Sequence, residues 1–144
     1  LIFFQDKEHF LNPEKKVFDK DRIIEFLNDK GIALYDTASA IRRLQDNASD
    51  KFLEVIEQTD ISLLLKQIPM CKAIVTTGQK ATDIIREQIE VKEPTVGTSE
   101  PFEFGDKAMK LYRMPSSSRA YPLALEKKAA AYRVMFNELG LLNE

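Results

Sequence analysis

The fold is decided by residues 72–81, which read KAIVTTGQKA. An apolar run through Val75 ends in two threonines, and Gly78 follows directly. Beyond the glycine, helical spacing relates Ala81, Ile84, Ile85 and Gln88. A buried strand that turns at a glycine into a helix is typical of a parallel sheet whose strands are joined by helical crossovers. This stretch therefore predicts an α/β fold.

Further helices and strands alternate on either side of it. The sequence predicts helices over residues 21–30, 52–58, 60–67 and 122–139, and strands over residues 31–36 and 109–114. Residues 91–106 contain two prolines and two glycines, so we predict a loop with one short strand there. Strands separated by helices imply right-handed crossovers and a mainly parallel sheet within one domain.

Composition and charge exclude several classes of functional site. The chain has 144 residues, of which 44% are hydrophobic, and it contains no apolar run long enough to span a membrane. Cys71 is the only cysteine and His9 the only histidine, so disulfides, Cys-rich or His-rich metal sites and Ser-His-Asp catalysis are poor fits. The net charge of −2 argues against a general nucleic-acid coat but allows a local basic patch. We expect a cytoplasmic monomer without metal or cofactor.

Polar residues follow three predicted strands at the same end. Asp36 closes the first strand, residues 76–78 close the second, and Pro115 with three serines follows the third. Ligands of open parallel sheets bind beyond the carboxyl ends of the strands, so these loops predict one site. Hydroxyls and free N–H groups just before a helix suit a phosphate. The alternative is that Ser118 only caps the last helix.

Together these segments resemble the uracil-DNA glycosylase superfamily, and most nearly its hypoxanthine-excising branch. The resemblance spans residues 30–136. It is carried by GIALYD (31–36), Arg42-Arg43 with Ala48-Ser49-Asp50, IVTTGQKA (74–81) and MPSSS (114–118). Each motif is short, and it is their order and spacing that make the match specific.

The resemblance implies a three-layer α/β/α fold around a central, mainly parallel four-stranded sheet. It also implies a DNA glycosylase that hydrolyses the N-glycosidic bond of a deaminated or mismatched base, such as uracil, hypoxanthine or xanthine, flipped out of DNA. Tyr35 and Asp36 would then bind the base, with the Asp36 carboxylate accepting an N–H from its ring. For Asp36, an Asx turn or a cap on the next segment is the alternative.

The same resemblance implies that a further set of residues contacts the DNA backbone. These are Pro115, Ser116, Ser117, Ser118, Arg119, Gly78 and Arg42. Gly78 allows close backbone approach. Family members continue their Pro-Ser loop with Pro and an Ala-Asn-like stretch, where this chain has Arg119-Ala120-Tyr121. For Arg42, the alternative to DNA binding is an ion pair with Asp46 or Asp50. Tyr121 could stack on a base, and the alternative is that it packs at the start of the last helix. Lys127 and Lys128 are predicted to lie on a solvated helix face.

No catalytic residue is assigned, because the family's water-positioning side chain lies on a glycine-containing loop ahead of the region that begins here. We expect residues 1–144 to be a single glycosylase-like domain without its N-terminal strand and catalytic loop. The expected partner is DNA with a damaged or mismatched base. A non-catalytic nucleotide-, phosphate- or DNA-binding module of the same fold is the alternative function.

Overall fold

The computed structural model of the protein describes residues 9–12, 14, 17–35, 38–43, 53–118 and 121–142. In chain order, the elements are β1 (Leu11–Asn12), β2 (Val17–Phe18), α1 (Lys20–Lys30), β3 (Ala38–Arg43), β4 (Leu53–Gln58), α2 (Ile61–Gln67), β5 (Ala73–Thr77), α3 (Gln79–Gln88), β6 (Thr98–Phe104), β7 (Lys107–Met114) and α4 (Leu125–Glu138). The predicted α/β class is confirmed. None of the described helices is long and apolar enough to cross a bilayer.

A three-stranded sheet in the order β5-β7-β6 forms the centre of the fold. β5 and β7 are parallel, with Thr77 opposite Met114. β6 is antiparallel to β7, and the two form a hairpin that turns at Gly105, whose φ is 60°. The described sheet is therefore mixed, with one parallel and one antiparallel pairing.

Different helices cover the two faces of this sheet. Successive side chains of a strand point to opposite faces, so β7 contributes to both sides. One buried cluster contains Met109 and Leu111 of β7, Leu65 of α2 and Ile85 of α3. The other contains Tyr112 and Met114 of β7 and Met135 of α4. Burial of each such side chain stabilises the fold by about 1.5–3 kcal/mol, which holds the helices against the strands.

Local hydrogen bonds fix where α2 begins and tie that point to the end of α3. The Asp60 carboxylate accepts a hydrogen bond from Leu63 N at 3.1 Å and caps α2. The Gln88 side chain of α3 accepts from Ile61 N at 3.0 Å and donates to Thr59 O at 2.9 Å. α3 is thereby tied to the start of α2, on the same face of the sheet.

Two predicted elements are wrong. Residues 32–35 form no strand: Gly31, at φ 71°, caps α1, and the side chains of Leu34 and Tyr35 are 70% and 72% exposed. An apolar run becomes a buried strand only where neighbours cover it, and these side chains lie open. Residues 53–58 form strand β4 rather than a helix, antiparallel to β3. The adjacent β-branched Val55 and Ile56 favour the strand.

The other predicted elements are confirmed within a few residues, namely α1, α2, β5, α3, β7 and α4. The short strand predicted within residues 91–106 is also confirmed, as β6. Its seven residues occupy more of that segment than the two prolines and two glycines indicate.

Candidate nucleic-acid interface

Two of the three polar loops lie side by side. Because β5 and β7 are parallel, both chains leave the sheet at the same edge, and Gly78 N donates a hydrogen bond to Met114 O at 3.1 Å. We call residues 76–79 and 114–118 the strand-end edge. Asp36, at the end of the first predicted strand, lies outside the described residues.

Gly78 has a backbone conformation that other residues rarely adopt, with φ 95° and ψ 169°. It is the N-cap of α3 and has no side chain to cap the first N–H groups of the ten-residue helix. The glycine is held by Thr82, whose hydroxyl donates to Gly78 O at 2.8 Å and lies 2.8 Å from the Thr76 hydroxyl. Both threonines are buried. The turn that starts α3 is thus fixed from inside the fold.

Arg113 of β7 also supports the start of α3. Its guanidinium donates to Pro94 O at 3.2 Å, to the Glu93 carboxylate at 3.4 Å and to the Gln79 side chain. The hydrogen bond from Gln79, at 2.8 Å, and the nearby cations Arg113 and Arg86 hold the pKa of Glu93 below its ordinary value. Arg113 is therefore paired with a carboxylate, and we do not count it as a phosphate ligand.

The serine loop has a local structure of its own. Pro115 is buried, Ser117 is exposed, and Ser116 Oγ accepts from Ser118 N at 3.2 Å. α4 begins at Leu125, and its N-cap is Ala124. Ser118 is therefore not the cap of the last helix, and the expectation that the serines lie at that helix start is wrong. The helix N-terminus at this edge is that of α3.

Lys128 is a residue that the sequence analysis placed wrongly. It lies in the first turns of α4, is 8% exposed, and donates from Nζ to Ser118 O at 2.9 Å. Its Nζ is also 5.4 Å from the centre of the Tyr121 ring. Lys127 beside it is exposed, as predicted for both. Helical spacing alone could not identify this contact, because the serine loop folds back over α4 from ten positions earlier in the chain.

The remaining predicted site residues lie elsewhere or outside the described residues. Tyr35 is exposed after α1, and Arg42 lies in β3, opposite Glu54 of β4. Arg119, like Asp46 and Asp50, falls outside the described ranges. Within those ranges, no group of three or more His, Cys, Asp or Glu side chains could hold a metal ion.

Comparison with protein-family models, with curated proteins and with solved structures finds no match for the chain.

Proposed function

We propose that this chain is a DNA glycosylase-like protein, similar to uracil-DNA glycosylases, that binds DNA at the strand-end edge. The observation that carries the proposal is the placement of the Gly78 turn beside the serine loop, at the carboxyl ends of a parallel strand pair. This edge offers the first N–H groups of α3 and the hydroxyls of Ser116 and Ser117 to a phosphate. Such contacts position a DNA backbone without reading its sequence.

The proposal includes a fourth strand next to β5. Among the described strands, β5 pairs only with β7 and lies at an edge of the sheet. An apolar strand in a parallel pairing is usually flanked on both sides. A strand supplied by another part of the protein would complete a mainly parallel four-stranded sheet. In the resembled family, the loop after such a strand holds the water-positioning side chain.

The chemistry assigned to the complete protein is hydrolysis. The bond between the base and C1′ of the sugar breaks, water adds to C1′, and the base leaves with a proton. Positive charge develops on the sugar, so the protein must hold the flipped nucleotide and place the water. In this proposal the strand-end edge grips the backbone beside that nucleotide, and Asp36 accepts an N–H from the base.

An excision assay tests the proposal. Full-length protein is incubated with oligonucleotides that contain uracil, hypoxanthine or xanthine, and alkali cleaves any abasic product. We expect excision of at least one base by the parent. Asp36→Ala should lose excision or base selectivity while its thermal unfolding matches that of the parent. If Asp36→Ala excises as well as the parent, Asp36 is not the base reader.

A non-catalytic DNA- or phosphate-binding module is the second candidate. It is favoured by the groups at the strand-end edge, since backbone amides and serine hydroxyls are able to donate hydrogen bonds and Lys128 lies directly behind the serine loop. Donors bind phosphate, but they do not activate water. A full-length protein that binds DNA and excises none of the three bases would establish this second function instead.

A further inference from the structure

Lys128 is a buried cation directly behind the serine loop. Its side chain is 8% exposed, whereas Lys127, one residue earlier in α4, is exposed. Lysine is rarely buried without a partner, because removal of an ammonium group from water is costly. The partner here is the carbonyl oxygen of Ser118, 2.9 Å from Nζ.

The Ser118 carbonyl oxygen accepts two hydrogen bonds. It accepts from Lys128 and also from Tyr121 N at 3.0 Å, while Ser118 N donates to Ser116 Oγ at 3.2 Å. The Tyr121 ring lies 5.4 Å from the ammonium group, within the range of a cation–π contact. Lys128 therefore connects both Ser118 and Tyr121 to α4.

Lys128 and Arg113 are two cations beside the strand-end edge, and they differ in their ion-pair partners. Arg113 pairs with Glu93, which offsets its charge. The ion pairs within the described part of the chain do not include Lys128. No carboxylate among these ion pairs therefore offsets the positive charge of Lys128.

We propose that Lys128 is the positioning residue of the phosphate-binding loop. It holds the Ser118 carbonyl so that the loop keeps one conformation, and its ammonium group adds to the attraction of a DNA phosphate. The second part of this inference rests on the proposed function, whereas the first concerns the free protein alone.

Three variants of the full-length protein test the first part without DNA. Lys128→Met keeps an unbranched side chain that is one heavy atom shorter and removes the hydrogen bond and the charge. Lys128→Arg keeps a donor and the charge, and Lys127→Met is the matched control. We expect amide hydrogen exchange at Ser118 and Tyr121 to be about tenfold faster in Lys128→Met, because a hydrogen bond from a charged donor is lost. Exchange in Lys127→Met should match the parent, and Lys128→Arg should restore protection. Equal exchange in Lys128→Met and the parent would overturn the positioning role.

The second part is tested by titration with duplex oligonucleotide over a range of salt concentrations. We expect Lys128→Met to lower the slope of log affinity against log salt by about one unit, and Lys128→Arg to keep the parent slope. Faster exchange with an unchanged slope would overturn the charge contribution. If the parent itself binds no DNA, the proposed function fails, and the exchange data still decide whether Lys128 positions the loop. If the parent binds DNA and the variants match it in both measurements, only the Lys128 inference fails.

Discussion

The N-terminal region (residues 9–35) and the sheet region (residues 61–142) contain helices of similar length that differ in burial. α1 has 11 residues and buries none of them, whereas the ten residues of α3 include the buried Thr82, Ile84 and Ile85. Both helices have local support at their ends: Asp19 caps α1 by accepting from Arg22 N, and Thr82 holds the Gly78 turn. Caps therefore define where a helix begins, and the core decides how firmly it is held.

The difference bears directly on function. The strand-end edge belongs to the sheet region, where the last residues of β7 include the buried Tyr112 and Met114. Tyr35, one of the two residues predicted to bind the base, belongs to the N-terminal region and is exposed. We therefore expect the phosphate-binding half of the site to be preorganised and the base-reading half to depend on further contacts.

Core truncation gives the largest expected contrast between the regions. Leu111→Ala removes a fully buried side chain from the cluster between β7, α2 and α3, and we expect it to lower the free energy of unfolding by about 2–5 kcal/mol. Ile24→Ala in α1, where the side chain is 44% exposed, should cost less than about 1 kcal/mol. Urea denaturation of both variants provides the measurement. Equal losses would contradict the unequal packing of the two regions.

Substitution of Gly78 and of Gly31 compares the stability cost of a side chain at the start of α3 and at the end of α1. Gly78→Ala places a side chain at φ 95° and ψ 169°, a conformation nearly confined to glycine, and should destabilise the protein by about 1–3 kcal/mol. Gly31→Ala at the end of α1 occupies the left-handed region with open space around the new Cβ, so about 1 kcal/mol is expected. Denaturation midpoints that rank the two variants in the reverse order would show that the Gly78 turn is not constrained by the fold.

Alkaline pH probes the burial of the face under α4. Burial raises the pKa of Tyr132 to about 12, and burial with the Glu138 hydrogen bond raises that of Tyr112. A raised pKa means that the folded state keeps its proton after the unfolded state has lost it. The stabilisation is complete below pH 10 and is lost as the pH rises from 10 toward 12. Tyr132→Phe should flatten the decline of the unfolding free energy in this range, and a decline as steep as that of the parent would contradict the burial.

Arg119→Ala gives the smallest expected effect. If Arg119 contacts one phosphate, its removal should weaken binding to many DNA sequences alike and lower the salt slope by about one unit. Fluorescence anisotropy at several salt concentrations measures both quantities. Binding and slope equal to those of the parent would remove Arg119 from the interface without affecting stability in either region.

The same contrast explains what the sequence could predict. β5 and α3 follow from an apolar run, a glycine and helical spacing, because each of these signals is satisfied by the core. The apolar residues 32–34 have the same strand-like pattern, but α1 ends at Gly31, directly before them. The sequence does not show whether a neighbouring strand covers such a run. The short run of residues 53–58 fits both the helical period of 3.6 residues and the strand period of two. Prediction fails where the outcome depends on contacts distant in sequence.

The candidate site shows the same limit. The polar strand ends at Gly78 and Ser116 could be identified, since strand ends of a parallel pair meet at one edge. The role of Lys128 could not, because its burial depends on the path of the chain from Ser118 to α4. The structural role of Arg113 likewise depends on Glu93, which lies 20 positions away in sequence and beside Arg113 in the fold.

The most direct test of the central claim introduces a negative charge at the strand-end edge. Ser117 is exposed, so Ser117→Asp should fold as the parent does, and Gln67→Glu at the end of α2, near the opposite end of β5, adds the same charge as a control. Duplex DNA binding by the full-length protein is measured for both. We predict about tenfold or greater weakening in Ser117→Asp, since like charges about 4 Å apart repel by roughly 1–4 kcal/mol, and little change in Gln67→Glu. Equal affinities of the two variants would contradict phosphate binding at this edge.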